Sequence, residues 1–166
     1  MNAEMNMASK FWESIGADKL RKAHSTEGGL YISPGTYLLE IQRCKMIETL
    51  AQEKAFIAEF KVIESDNPVL QAGAEPSYFV NMEGKYPDLS LGNVMDFMRA
   101  GLAAAALEEG VEAPPAAETV IDPEIATSIT GEGNVLAGVK IECYAFNKPT
   151  KAGKDFTRFK WRVPAA

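Results

Sequence analysis

SYFVNMEGKYPDLSLGNVMDFMRAGL, residues 77–102, changes its period half-way along. Its opening SYFVNME reads as a β-strand. From Leu91 the apolar side chains Val94, Phe97, Met98, Leu102 and Ala105 recur at steps of three and four, the spacing of one helix face. Asp88 or Ser90 is placed to cap the start, and Gly110 falls just past the end. A helix therefore follows a strand here, and its position among the other elements decides the fold.

Upstream, TYLLEIQRCKMIET (36–49) sets Tyr37, Leu39 and Ile41 in alternation with polar neighbours, as a strand does. The alternation slips near Arg43, which predicts a bulge. EKAFIAEFKVIES (53–65) repeats the signal with Phe56, Ala58, Phe60 and Val62 on one face, and DNPVLQAGAEP then loops to the third strand. Downstream, EEGVEAPPAAETVIDPE is acidic and proline-rich and reads as a surface linker, followed by a short PEIATSIT segment. Two more strands, GVKIECYAF and DFTRFKWRV, are joined by NKPTKAGK.

The order is strand, strand, strand, helix, strand, strand. The expected fold is mainly β with one central helix: an OB-fold-like, five-stranded antiparallel Greek-key barrel. Other small β-barrels with one helix have the same order. Residues 33–166 are expected to form this domain. Residues 1–32 read as an N-terminal extension, partly disordered or a short helix at FWESIGADKLRKA.

A chain of 166 residues with 46% hydrophobic content can bury the core of one domain. No apolar run reaches the ~18–20 residues that cross a bilayer, and MNAEMNMASKFWES lacks the cationic start and apolar core of a secretory signal. A cytoplasmic protein with no membrane contact is expected. Cys44 and Cys143 sit inside apparent strands, not in a C-x-x-C or Cys/His cluster, so both read as buried thiols.

The net charge of −6 is unevenly spread. Between Lys140 and Arg162 seven cations face two anions, so that stretch is +5 and the remainder is −11. On the fourth strand Val139, Ile141, Cys143 and Ala145 share one face, and on the fifth Thr157, Phe159, Trp161 and Val163 do; these suit the interior. The opposite faces carry Lys140, Glu142, Tyr144 and Phe146, and Phe156, Arg158, Lys160 and Arg162. Lys148, Lys151 and Lys154 add charge at the loop.

Rings beside cations are what an unpaired nucleic-acid strand needs: bases stack on the rings and phosphates follow the cations. Arg43 and Lys45 on the first strand, with Lys61 on the second, extend the set. The same residues also fit a plainer role, since charges on an outer hairpin deter edge aggregation and aromatics favour strands. Tyr78 and Phe79 are neighbours in one strand, so one of them faces outward.

The blocks SPGTYLLEIQRCK, AFIAEFKVIESDN, SYFVNMEGKYPDLSLGNVMDFMRAGL and NKPTKAGKDFTRFKWRV resemble successive blocks of bacteriophage OB-fold single-stranded-DNA-binding proteins, over roughly residues 33–163. The resemblance implies a phage replication or recombination accessory that coats single strands in the infected bacterial cell. Single-stranded DNA is then the main partner, with phage or host replication proteins and a homodimer as further partners. Members of that family often recruit enzymes through an acidic tail. Here the chain closes on RVPAA and the acidic stretch is internal, at Glu108–Glu124, so tail recruitment is not expected.

An enzyme is not expected, nor a cofactor or metal. His24 is the only histidine, which excludes a histidine triad or multi-histidine metal site. GEGNVLAG lacks the G-K-[ST] ending of a phosphate-binding loop and reads as a turn. The alternative to DNA binding is a phage structural or host-protein interaction module, docking through the alanine-rich helix at GLAAAAL.

Overall fold

The structure, a computed structural model, describes residues 3–16, 31–112, 115, 119–149 and 155–164. Its elements are α1 (Ala3–Ile15), β1 (Gly35–Glu48), β2 (Lys54–Ser65), β3 (Ser77–Asn81), α2 (Pro87–Glu108), α3 (Pro123–Thr130), β4 (Lys140–Pro149) and β5 (Asp155–Arg162). The five strands form one antiparallel sheet in the order β3-β2-β1-β4-β5.

β1 is the spine. It pairs with β2 along most of its length and with β4 from Gly35 to Glu40. Its register slips twice, between Leu38 and Leu39 and between Ile41 and Arg43. The second slip is the expected bulge. Tyr37, Leu39 and Ile41 point inward; Gln42 and Arg43 both stay outside, and Cys44 restores the inward face.

Beyond this bulge β1 has lost β4, and Asn134 takes its place. The Asn134 amide accepts from Cys44 N–H at 2.7 Å and donates to the Cys44 carbonyl at 2.8 Å. The glycine-rich GEGNVLAG is thus a turn that finishes the ladder with a side chain. Leu136 in the same turn is fully buried and packs on Gly101, where a Cβ would lie 2.7 Å from Leu136 Cδ1 and force it to shift.

β1 opens at Gly35 for a related reason. Its φ of +155° and the approach of Asp66 Oδ1, 2.9 Å from where a Cβ would stand, leave room for no side chain. Asp66 also accepts from Thr36 N–H at 2.8 Å, fixing the start of the strand.

The sheet is not closed into a barrel. β3 and β5 run in the same direction, so closure would need a parallel ladder, and none joins them among the described residues. Their side chains meet instead. Tyr78 of β3 lies 4.7 Å from Phe159 and 4.9 Å from Trp161, ring to ring. Phe97 of α2 sits among Phe56, Phe60, Tyr78 and Trp161 at 4.8 to 6.0 Å. The helix packs against β3, β4 and β5 and so closes the fold with rings where backbone does not. Trp161 Nε1 is buried in this cluster, beside Tyr78.

Three helices are present among the described residues: the central α2, α1 in the N-terminal extension, where a short helix is one of the two readings, and α3. α2 starts at Pro87, ahead of both expected caps. Tyr86 holds the cap position without a side-chain bond, and Asp88 lies in the first turn, where its charge suits the helix dipole. Val94, Phe97 and Met98 are buried as the period predicts, but the buried stripe continues through Ala100, Gly101 and Ala104. Leu102 and Ala105 are only partly covered. Small residues let α2 approach the sheet closely, which moved the buried stripe off the bulkier positions.

α3 lies at the end of the expected linker. Asp122 caps it by accepting from Ile125 N–H at 2.8 Å, Pro123 is preorganised for its first turn, and Ile129 enters the core. At the other end of the chain, Ile32 is buried and its N–H donates to the Ser77 carbonyl, so residues 31–32 line the outer edge of β3. Among the described residues no helix is long and apolar enough to cross a membrane. His24 and the DKLRKAH stretch fall outside the described residues.

Candidate nucleic-acid interface

The β4–β5 register decides which side chains meet. Tyr144 faces Lys160, Phe146 faces Arg158, Lys148 faces Phe156 and Glu142 faces Arg162. All eight lie on the outer face, because Ile141, Cys143 and Ala145 occupy the inner one and are buried. Three successive rungs therefore each set a ring opposite a cation, at intervals of about 7 Å along the strand.

The rings are ordered among themselves. Tyr144 and Phe146 stack with centroids 5.2 Å apart and planes 21° from parallel. Lys160 Nζ lies 5.7 Å from the Phe146 centroid and Arg158 Cζ 5.9 Å from that of Phe156. Cation–π contacts of this kind hold the charges beside the rings. Tyr144 and Phe156 keep 41% and 40% of their surface exposed, so ring area is left for a ligand.

The last β1–β4 pair is Gly35 with Ala145. From Phe146 onward β4 pairs with β5 alone, so the end of the hairpin projects as a two-stranded arm carrying Phe146, Lys148, Phe156 and Arg158. Lys151 and Lys154 lie outside the described residues.

The other expected cations are placed apart from this group. Lys140 is exposed at the foot of β4, in register with Glu40, which on its other side faces Lys61. Arg43 is exposed opposite Glu59, and Lys45 Nζ is paired with Glu59 Oε1 at 2.7 Å. Thr36 is level with Tyr144, so Arg43, seven residues farther along β1, is about 23 Å away along the strand. The structure does not join Arg43 and Lys45 to the hairpin.

It adds residues that the sequence reading passed over. A cleft of about 830 Å³ brings Arg99 of α2 beside Tyr144, Lys160 and Arg162. Arg99 is steadied there by donating to the Thr119 carbonyl at 3.0 Å and pairing with Asp96. A second cleft, about 350 Å³, occupies the seam between β3 and β5 and is lined by Phe79, Lys85, Tyr86, Phe156 and Arg158. Tyr78 is buried and Phe79 is the outward one, its ring 6.2 Å from exposed Tyr31. The signal for Tyr86 was the proline after it, which holds a residue extended and projecting; its φ is −128°.

Neither cysteine is a nucleophile. Burial pushes the Cys44 thiol up to about 12 and raises that of Cys143 as well, so both stay protonated. Among the described residues no cluster of His, Cys, Asp or Glu could hold a metal ion. Compared with known protein families and with curated proteins, the chain matches none.

Proposed function

We propose that this protein binds single-stranded DNA without strong sequence preference, on the outer face of the β4–β5 hairpin. The observation that carries the proposal is the ladder of rungs in which Tyr144, Phe146 and Phe156 each face a cation. Every base has a π-face, so stacking on such rings is tolerant of sequence, while the cations follow the backbone. The proposed fold is an OB-fold-like Greek key. In support, β4 returns after two helices to lie beside β1, giving the spatial order of a Greek key cut open between β3 and β5. The resemblance of the sequence blocks adds the proposed setting, a phage replication or recombination accessory.

The test is fluorescence anisotropy of a labelled oligo(dT) of roughly 30 nucleotides at two salt concentrations, a length that exceeds the site of one OB-fold. Lys148, Arg158, Lys160 and Arg162 give an expected slope of log affinity against log salt near about −3, at ~0.7 per phosphate on single strands. Duplex DNA should not displace the oligonucleotide. Absence of binding at low salt rejects the proposal. It then favours a protein-docking module, for which the exposed Phe11–Trp12 ring pair on α1 is the structural candidate.

A further inference from the structure

Barrel closure fails between β3 and β5, and a cleft stands in the gap. Its walls are aromatic: Tyr86 and Phe79 on one side, Phe156 on the other. Lys85 Nζ lies 5.6 Å from the Tyr86 centroid, and Arg158 sits beside Phe156. Ser90 and Asn93 of α2 also line it, and their side chains make no hydrogen bond to other described residues. Rings, cations and free hydrogen-bonding groups in about 350 Å³ match a site for a single nucleotide, at the small end of ligand pockets.

The cleft is continuous with the hairpin face, because Phe156 and Arg158 belong to both. Tyr86 is 62% exposed at the start of α2, and among the described residues its ring meets only the Lys85 ammonium, so ring area is left for a ligand. The charged side chains that line the cleft, Lys85 and Arg158, are both cations, which suits an anionic backbone turning in from the arm.

Resting on single-strand binding by the hairpin, we propose that the bound strand turns over Phe156 into the β3–β5 seam. There one nucleotide stacks on Tyr86, its phosphate meets Lys85, and its base edge faces Ser90 and Asn93. The seam is a second, base-reading subsite on an otherwise sequence-tolerant track. Hydrogen-bonding groups placed at a base edge distinguish bases, whereas stacking alone does not.

The experiment measures the affinity of oligo(dT) across lengths from about 4 to 24 nucleotides, spanning the usual range of single OB-fold sites. It compares the natural protein with Tyr86→Ala, Lys85→Gln and Tyr144→Ala, each checked by thermal unfolding. Tyr144→Ala should weaken binding at every length. Tyr86→Ala should match the natural protein on the shortest oligonucleotides and lose about tenfold once the strand is long enough to reach the seam, the scale of one base stack. Lys85→Gln should reduce the salt slope by about 0.7 on long strands only. If Tyr86→Ala binds normally at all lengths, or loses equally at all lengths, the seam subsite is rejected while hairpin binding stands. If the natural protein binds no oligonucleotide, both are rejected.

Discussion

The two faces of the β4–β5 hairpin both carry aromatic rings and surround them differently. Inward, Trp161 meets Phe60, Tyr78, Phe97 and Phe159, so each ring is held by several others. Outward, among the described residues Tyr144 meets only Phe146 among rings, and its cross-strand neighbours are Lys160 and Thr36. An aromatic side chain in a strand thus carries no fixed meaning. What it contacts decides whether its removal costs stability or binding.

That contrast is open to attack, most forcefully through Phe97. It is fully buried at the centre of the ring cluster, and Phe97→Ala should cost about 3–5 kcal/mol. For a chain of this size that lowers the melting temperature by about 6–20 °C. A small shift would mean that the rings, despite their contacts, do not hold the open seam together.

Asn134→Ala comes next. It leaves the Cys44 N–H and C=O without their partner at the bulge, and denaturant titration should register a loss of about 1–3 kcal/mol. Alkaline pH should act more gradually. The folded Cys44 thiol keeps its proton up to about 12, whereas an unfolded one ionises near 9.0. Its contribution is complete below pH 9 and is lost as pH rises toward 12, at up to about 1.4 kcal/mol per pH unit. Following the denaturant midpoint from pH 8 upward tests the sign, and Cys143 adds in the same direction.

On the outer face, Tyr144→Ala should leave the melting temperature within a degree or two and weaken binding to all single strands about tenfold. A variant that loses stability instead would erase the distinction between the faces.

The strand order and the two hairpin faces were legible because alternation is local: Ile141, Cys143 and Ala145 declare the inner side by themselves. The bulge near Arg43 was legible for the same reason. Closure was not. It depends on whether β3, only five residues long, finds β5 in a parallel pairing, and no local pattern reports on that. The separation of Arg43 and Lys45 from the basic hairpin was also hidden, since it follows from β4 leaving β1 at Glu40. α3 did carry a sign, the Asp122-Pro123 start, obscured by the acidic, proline-rich stretch before it. Lys85 and Tyr86 enter the proposed seam site only because the turn that holds them lines one cleft with β5.

The arm beyond Ala145 has a kinetic consequence. Two strands without a third are marginal in water, so the amides of Phe146 to Lys148 should open and exchange with solvent far sooner than those of Ile141 and Cys143, which β1 covers. A ligand lying across the rungs would tie the two strands together and slow that exchange. The arm would then report occupancy through the lifetime of its own hydrogen bonds, with no label attached.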